Sequence, residues 1–101
     1  MGFNDAVREL IAALDEDRFE ASVRGSKNWL ASGARGAQQV IAMLRRCDQS
    51  EYVEDFLHDD PSTVVHIFKP LYKRRRWYIK AYFVEQDEQV AIVISVHPSE
   101  P

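Results

Sequence analysis

Trp77-Tyr78-Ile79-Lys80-Ala81-Tyr82-Phe83-Val84 and Val90-Ala91-Ile92-Val93-Ile94-Ser95-Val96-His97 are two β-branched and aromatic runs separated by the polar residues Glu85 to Gln89. Their period of two predicts a pair of antiparallel strands. A connection of even length, Asp87-Glu88 or Gln86 to Gln89, sets Ile79, Ala81 and Phe83 opposite Val96, Ile94 and Ile92 on one apolar face. The other face then carries Tyr78, Lys80 and Tyr82 opposite His97, Ser95 and Val93. An odd connection would mix the two sets and bury Lys80 beside Ile94, so the even register is expected. In that register Tyr78 and His97 are cross-strand neighbours, about 5 Å apart at Cβ.

Upstream, Thr63 to Phe68 reads as a third strand, ended by Pro70, which cannot donate to a ladder. His58-Asp59-Asp60-Pro61 reads as a turn. Before it the period is helical. Phe3, Val7, Leu10, Ile11 and Leu14 fall on one stripe, with Asn4 or Asp5 as cap and an end near Leu14, before the acidic Asp15-Glu16-Asp17. Ala37, Val40, Ile41, Leu44 and Cys47 mark a second helix, with Arg45 and Arg46 at its C-terminal end. Asp48 or Ser50 is expected to cap a third helix from Glu51 to Leu57, with Tyr52, Val53, Phe56 and Leu57 inward. Phe19 to Val23 reads as a short edge strand and Ser26 to Leu30 as a helical turn, with a break at Gly33. The tail from Pro98 is expected to fray. Helices first and strands last predict a single α+β domain over residues 1–101, with the N-terminal helices packed on one face of a C-terminal antiparallel β-sheet.

The chain has 101 residues and a formal net charge of −3. Residues 69–80 carry six basic residues and no acid: Lys69, Lys73, Arg74, Arg75, Arg76 and Lys80. Removing those six positive charges leaves −9 for the rest, so the charge is strongly polarised. That acidic remainder argues against a general nucleic-acid binder and for one basic face. No apolar run approaches the roughly 20 residues that span a bilayer, and no secretory leader is seen at the N-terminus. The single Cys47 cannot form an internal disulfide, which fits a reducing cytoplasm. Neither a phosphate-cradling glycine loop nor a metal-ligand spacing is present, and His58-Asp59-Asp60 are adjacent turn residues. No cofactor, metal or membrane is therefore expected.

Basic side chains beside aromatics on a sheet suit a phosphate backbone and its bases. Metal-independent RNA cleavage needs a base for the 2′-hydroxyl proton, an acid for the leaving 5′-oxygen, and cations around the phosphate. Histidine titrates near neutrality, which suits His97 to acid–base work. Tyr78 offers a phenolic proton, and Lys80 with Lys73, Arg74, Arg75 and Arg76 offers positive charge. Trp77 or Tyr82 is a candidate for stacking a base. Each feature has an ordinary structural alternative: a solvated basic turn, a solvated histidine near the chain end, half-buried sheet aromatics. His66, in mid-strand, reads as a hydrogen-bonded structural histidine, and Cys47 as core.

The order of these features resembles the MqsR family of toxins from type II toxin–antitoxin modules, within the wider RelE-like ribonuclease fold. The residues that carry the resemblance are Val7-Arg8-Glu9-Leu10-Ile11 in the first helix, Asp48-Gln49-Ser50-Glu51-Tyr52, Asp60 before a strand, and Ile94-Ser95-Val96-His97 in the last strand. The sharpest match is Phe68-Lys69-Pro70, seven residues, then Tyr78-Ile79-Lys80. The resemblance implies a cytoplasmic endoribonuclease acting on mRNA without a metal and silenced by a cognate antitoxin protein; it leaves the ribosome open as a further partner. It assigns the family's catalytic tyrosine to Tyr78 and its C-terminal catalytic lysine to His97. A family lysine falls at Val53 and a family glutamine at Val65, where neither valine does polar chemistry.

Two other readings follow from the same residues. A non-catalytic module on this fold would grip RNA or an acidic protein with the basic loop 69–80. A protein-interaction or inhibitor domain would have no nucleic-acid role at all.

Overall fold

A computed structural model describes residues 2–22, 36–85 and 87–99. The fold is α+β, and the described residues form two α-helices and six strands: α1 (Phe3–Asp15), β1 (Phe19–Ala21), α2 (Ala37–Arg45), a 3-10 turn (Gln49–Glu51), β2 (Tyr52–Leu57), β3 (Asp60–Phe68), β4 (Leu71–Tyr72), β5 (Arg75–Glu85) and β6 (Gln89–Pro98). The sheet order is β1-β6-β5-β3-β2, with β4 paired to β5. All pairings are antiparallel except β1 with β6, so the sheet is mixed rather than purely antiparallel.

The helical stripes are where period 3.6 places them. Ala6, Leu10, Ala13 and Leu14 of α1 and Val40, Ile41, Met43 and Leu44 of α2 are buried. They share one core with Phe68, Ile79, Ala81, Ala91, Val93 and Val96 of the sheet. α1 starts at Phe3 behind Gly2 with no side-chain cap, so neither Asn4 nor Asp5 caps it. Asp5 lies instead in the first turn, where it favours the dipole and pairs with Arg8 at 2.7 Å. α2 starts behind Gly36, whose φ of 87° an L-residue rarely adopts.

The expected third helix is a strand. Asp48 does form a capping box, accepting from the Ser50 N–H while Glu51 accepts from the Asp48 N–H, but it closes one 3-10 turn only. The chain then extends from Tyr52 and pairs with β3 from Tyr52↔Phe68 to Phe56↔Val64. Four apolar positions in seven residues fit either period, and pairing with β3 decides for the strand. β1 confirms the short edge strand up to Ala21; Val23, Ser26 to Leu30 and Gly33 lie outside the described residues. Pro98 is not frayed: it pairs with Trp77, and the Ser99 N–H reaches the Arg76 carbonyl at 3.0 Å.

The final hairpin keeps its apolar face by a different route from the one expected. The strands close at Glu85↔Gln89, leaving an odd connection of three residues. A bulge between Lys80 and Ala81 corrects the phase: Lys80 faces Ser95, Ala81 faces Val93, and Ile94 is the extra residue. Ile79, Ala81 and Phe83 thus face Val96, Val93 and Ala91, not Ile94 and Ile92. The Ser22 hydroxyl donates to the Ile94 carbonyl at 3.3 Å, giving the bulged residue a partner from the β1 side.

Candidate nucleic-acid interface

Below the bulge the expected pairing is present. Tyr78 lies opposite His97, and the rings stack with centroids 5.1 Å apart and planes at 20°. Both side chains are half-buried. His97 Nδ1 is 2.7 Å from the Pro98 carbonyl oxygen. That oxygen only accepts, so Nδ1 carries the proton and the neutral ring keeps its lone pair on Nε2. One nitrogen is thereby fixed as the basic one, and the ring orientation with it.

Lys80 and Tyr82 follow Tyr78 on the same face by strand alternation, and both are half-buried. Lys80 sits between Ile67 and Ser95 on the flanking strands. Among the described residues no acidic group pairs with Lys73, Arg74, Arg75 or Lys80.

The β4–β5 hairpin turns through Lys73 and Arg74 at φ 53° and 65°. Two consecutive positive φ values are those of a type I′ turn, which ordinarily takes Asn-Gly. Here two long basic side chains hold a conformation that suits small residues best. At about 3.3 Å per residue the tip lies about 13 Å along the strand from Tyr78. Lys73 and Arg74 thus lie at a distance from the ring pair, whereas Lys80 lies beside it, without an acidic partner among the described residues. Lys73 lies over the Tyr72 ring at 5.4 Å and Arg75 over the Trp77 ring at 5.9 Å.

Two expected interface residues are committed elsewhere. Trp77 is 6% exposed and belongs to the core cluster, so its indole is not offered to a base. Its Nε1–H is buried without a hydrogen-bond partner among the described residues. Arg76 donates to a Glu51 carboxylate oxygen and, at 2.7 Å, to the Lys69 carbonyl. Its charge is largely spent on tying the hairpin to the Asp48 turn. Ser50, Glu51, Lys69 and Arg76 line a shallow recess there.

Around the ring pair, β2 and β3 contribute Val53, Val65 and Ile67 to the same face as Lys80. Val65 is fully buried. Val53, by contrast, is 42% exposed. His66 faces the other way, opposite Ala81, and is buried. Its Nδ1 is 2.7 Å from the Tyr52 hydroxyl, and Tyr52 also packs on Phe3 and Phe68. Burial lowers the His66 pKa, against a smaller opposing pull from Glu54. Desolvation pushes the Tyr52 hydroxyl up to about 12, with Glu54 adding to it. Both are neutral partners in one buried hydrogen bond, the structural role expected of His66. Sequence reasoning missed this pair because Tyr52 was assigned to a helix.

Among the described residues no three His, Cys, Asp or Glu side chains gather as a metal-ligand set. No described helix is long and apolar enough to cross a membrane. Compared with protein-family models, curated proteins and solved structures, the chain matches none.

Proposed function

We propose that this chain is a RelE-like, MqsR-type endoribonuclease of the cytoplasm, acting on mRNA and held in check by an antitoxin protein. The observation that carries the reading is the stacked Tyr78–His97 pair beside cations that no acid among the described residues neutralises. His97 Nε2 takes the proton of a ribose 2′-hydroxyl. The 2′-oxygen attacks the adjacent phosphorus and the bond from phosphorus to the 5′-oxygen breaks. Tyr78 gives its phenolic proton to the departing 5′-oxygen, leaving a 2′,3′-cyclic phosphate and a 5′-hydroxyl. Solvent returns the proton from imidazolium to phenolate. Lys80 offsets the charge on the phosphate as the fifth bond forms, and the imidazolium formed on the way faces the π-cloud of Tyr78. Lys73, Arg74 and Arg75 hold phosphates further along the strand, and Tyr82 offers a ring to a base.

Purified protein incubated with an mRNA in the presence of EDTA tests this. Cleavage leaving cyclic phosphate ends is expected, falling by about a hundredfold or more in His97→Ala and Tyr78→Phe. Intact RNA, or wild-type cleavage by both variants, would overturn the reading.

A second reading is favoured by Val53, Val65 and Ile67, which leave the ring pair with an apolar flank. On it the same face grips RNA without cutting. RNA bound by wild type and His97→Ala alike, released by Arg74→Ala/Arg75→Ala, and never cleaved would select it.

A further inference from the structure

The far edge of the sheet has the opposite character to the basic hairpin. Residues 47–68 contain six acids and no Lys or Arg. β2 closes the sheet on that side with six residues, and among the described residues it has a neighbouring strand, β3, along one edge only. The ladder fixes which peptide groups remain open. The Lys69 N–H donates to the Glu51 carbonyl at 2.8 Å, so Glu51 and Lys69 form a hydrogen-bonded pair. Alternation makes Val53↔Ile67 and Asp55↔Val65 the next such pairs. The peptide groups of Glu54 and Phe56 therefore turn away from β3. The Phe56 N–H is taken by the Asp55 carboxylate at 2.8 Å; among the described residues nothing takes that of Glu54.

An edge of this kind is ordinarily blunted by lysine, proline or a covering loop. Here it is left with apolar side chains showing. Phe56 is 63% exposed, its cross-strand neighbour Val64 is 37% exposed, and Val53 on the opposite face is 42% exposed. One side of the edge thus has a shelf of Phe56 and Val64, with Glu54 next along it, and the other side has Val53 and Asp55.

We propose that β2 receives an extended, basic strand from a partner protein, which lengthens the sheet beyond β2. The added strand bonds to the open Glu54 and Phe56 peptide groups. Its Lys or Arg side chains meet Glu54 and Asp55, and its apolar side chains rest on Phe56, Val64 and Val53. A cation that draws the Asp55 carboxylate away also releases the Phe56 N–H for the incoming strand. Charge decides against a second copy of this chain as occupant. Antiparallel pairing of β2 with itself about a twofold axis brings Glu54 and Asp55 against their own copies. The inference is independent of the ribonuclease reading, since the only residues of the Tyr78 face that it uses are Val53 and Asp55, neither of which has a role in that reading.

The test is fluorescence anisotropy of a labelled ten-residue peptide repeating Val-Lys-Lys-Val, which presents lysine and valine on both faces of a strand, against the full chain, with a Val-Glu-Glu-Val repeat as control. The lysine peptide should bind, the glutamate peptide should not, and affinity should fall as salt rises. Glu54→Pro removes an outward N–H without touching the β3 ladder, and Phe56→Ser removes the shelf. Each should weaken binding about tenfold. His97→Ala should bind as wild type. If Glu54→Pro does not fold, Glu54→Lys/Asp55→Lys takes its place and should exchange the preference to the glutamate peptide. Absent binding, binding of both peptides alike, or full affinity in Phe56→Ser would overturn the proposal. So would a wild-type dimer on size exclusion that Phe56→Ser dissolves, because a second copy would then be the occupant.

Discussion

Arg76 and Glu51 join two parts of the chain that are 25 residues apart. Glu51 closes the capping box of the Asp48 turn with one carboxylate oxygen and accepts Arg76 with the other. Arg76 precedes Trp77 and Tyr78, so this link anchors the base of the basic hairpin where β5 enters the interface.

Arg76→Ala should therefore act mainly on stability. The pair is partly buried and Glu51 would lose its cationic donor, so a loss of about 1–2 kcal/mol is expected. Urea unfolding measures this. RNA affinity should fall less in Arg76→Ala than in Arg74→Ala, because Glu51 already pairs with Arg76 whereas Arg74 has no acidic partner among the described residues. The reverse order would show that Arg76 leaves Glu51 to meet phosphate.

The turn at Lys73 and Arg74 predicts a trade of stability for charge. Lys73→Asn/Arg74→Gly relieves two L-residues at positive φ and should stabilise the fold by about 1–2 kcal/mol. Over a domain of this size each kcal/mol raises Tm by about 4–8 °C. The same double variant should bind single-stranded RNA more weakly and reduce the salt slope by about 1.4. A more stable variant with unaltered slope would remove these two residues from the interface.

The Tyr52–His66 bond gives stability a pH dependence of definite sign. His66 in the folded state resists protonation below the ordinary value of 6.5, because burial disfavours its charged form. The unfolded chain binds that proton first, so the contribution is present above pH 6.5 and is lost as pH falls toward the folded pKa. The urea midpoint should fall between pH 7 and pH 5, and His66→Phe should flatten that slope. At the alkaline end, Tyr52 should titrate near 12 by ultraviolet absorbance, a step that Tyr52→Phe removes.

Cys47 should be inert in the native protein. Burial pushes its thiol up to about 12, with the Glu51 carboxylate adding to the effect. At pH 8 a disulfide reagent should modify it at least about a hundredfold more slowly than in urea. Fast native labelling would mean that the junction between α2 and the Asp48 turn opens readily.

Much of this architecture is written in local periodicity. Leu10, Leu14, Val40 and Leu44 announce their helices, and the alternation from Tyr78 to Phe83 announces both strand and face. The meeting of Tyr78 and His97 was legible to the same depth, because it needs only pleating and pairing. What periodicity does not contain is long-range pairing. Tyr52 to Leu57 takes its extended form from β3. The three-residue connection shifted the register of the last hairpin, and only packing of Ala81 on Val93 shows that a bulge absorbs the shift. Trp77 looked accessible as part of a basic, aromatic run; its odd parity with Ile79 places it inside. Arg76 gave no sign in sequence that Glu51 would claim it.

The displaced residue Ile94 separates the ribbon into two segments whose alignment is set independently. Near the chain end, Trp77↔Pro98 and Tyr78↔His97 are counted from the sheet; near the tip, residues are counted from residues 86–88. Trimming that connection by one residue should leave a surplus at Ile94, and deleting Ile94 as well should restore a matched ladder. Tip length is thus a variable that can drift without turning the phenol and imidazole away from each other.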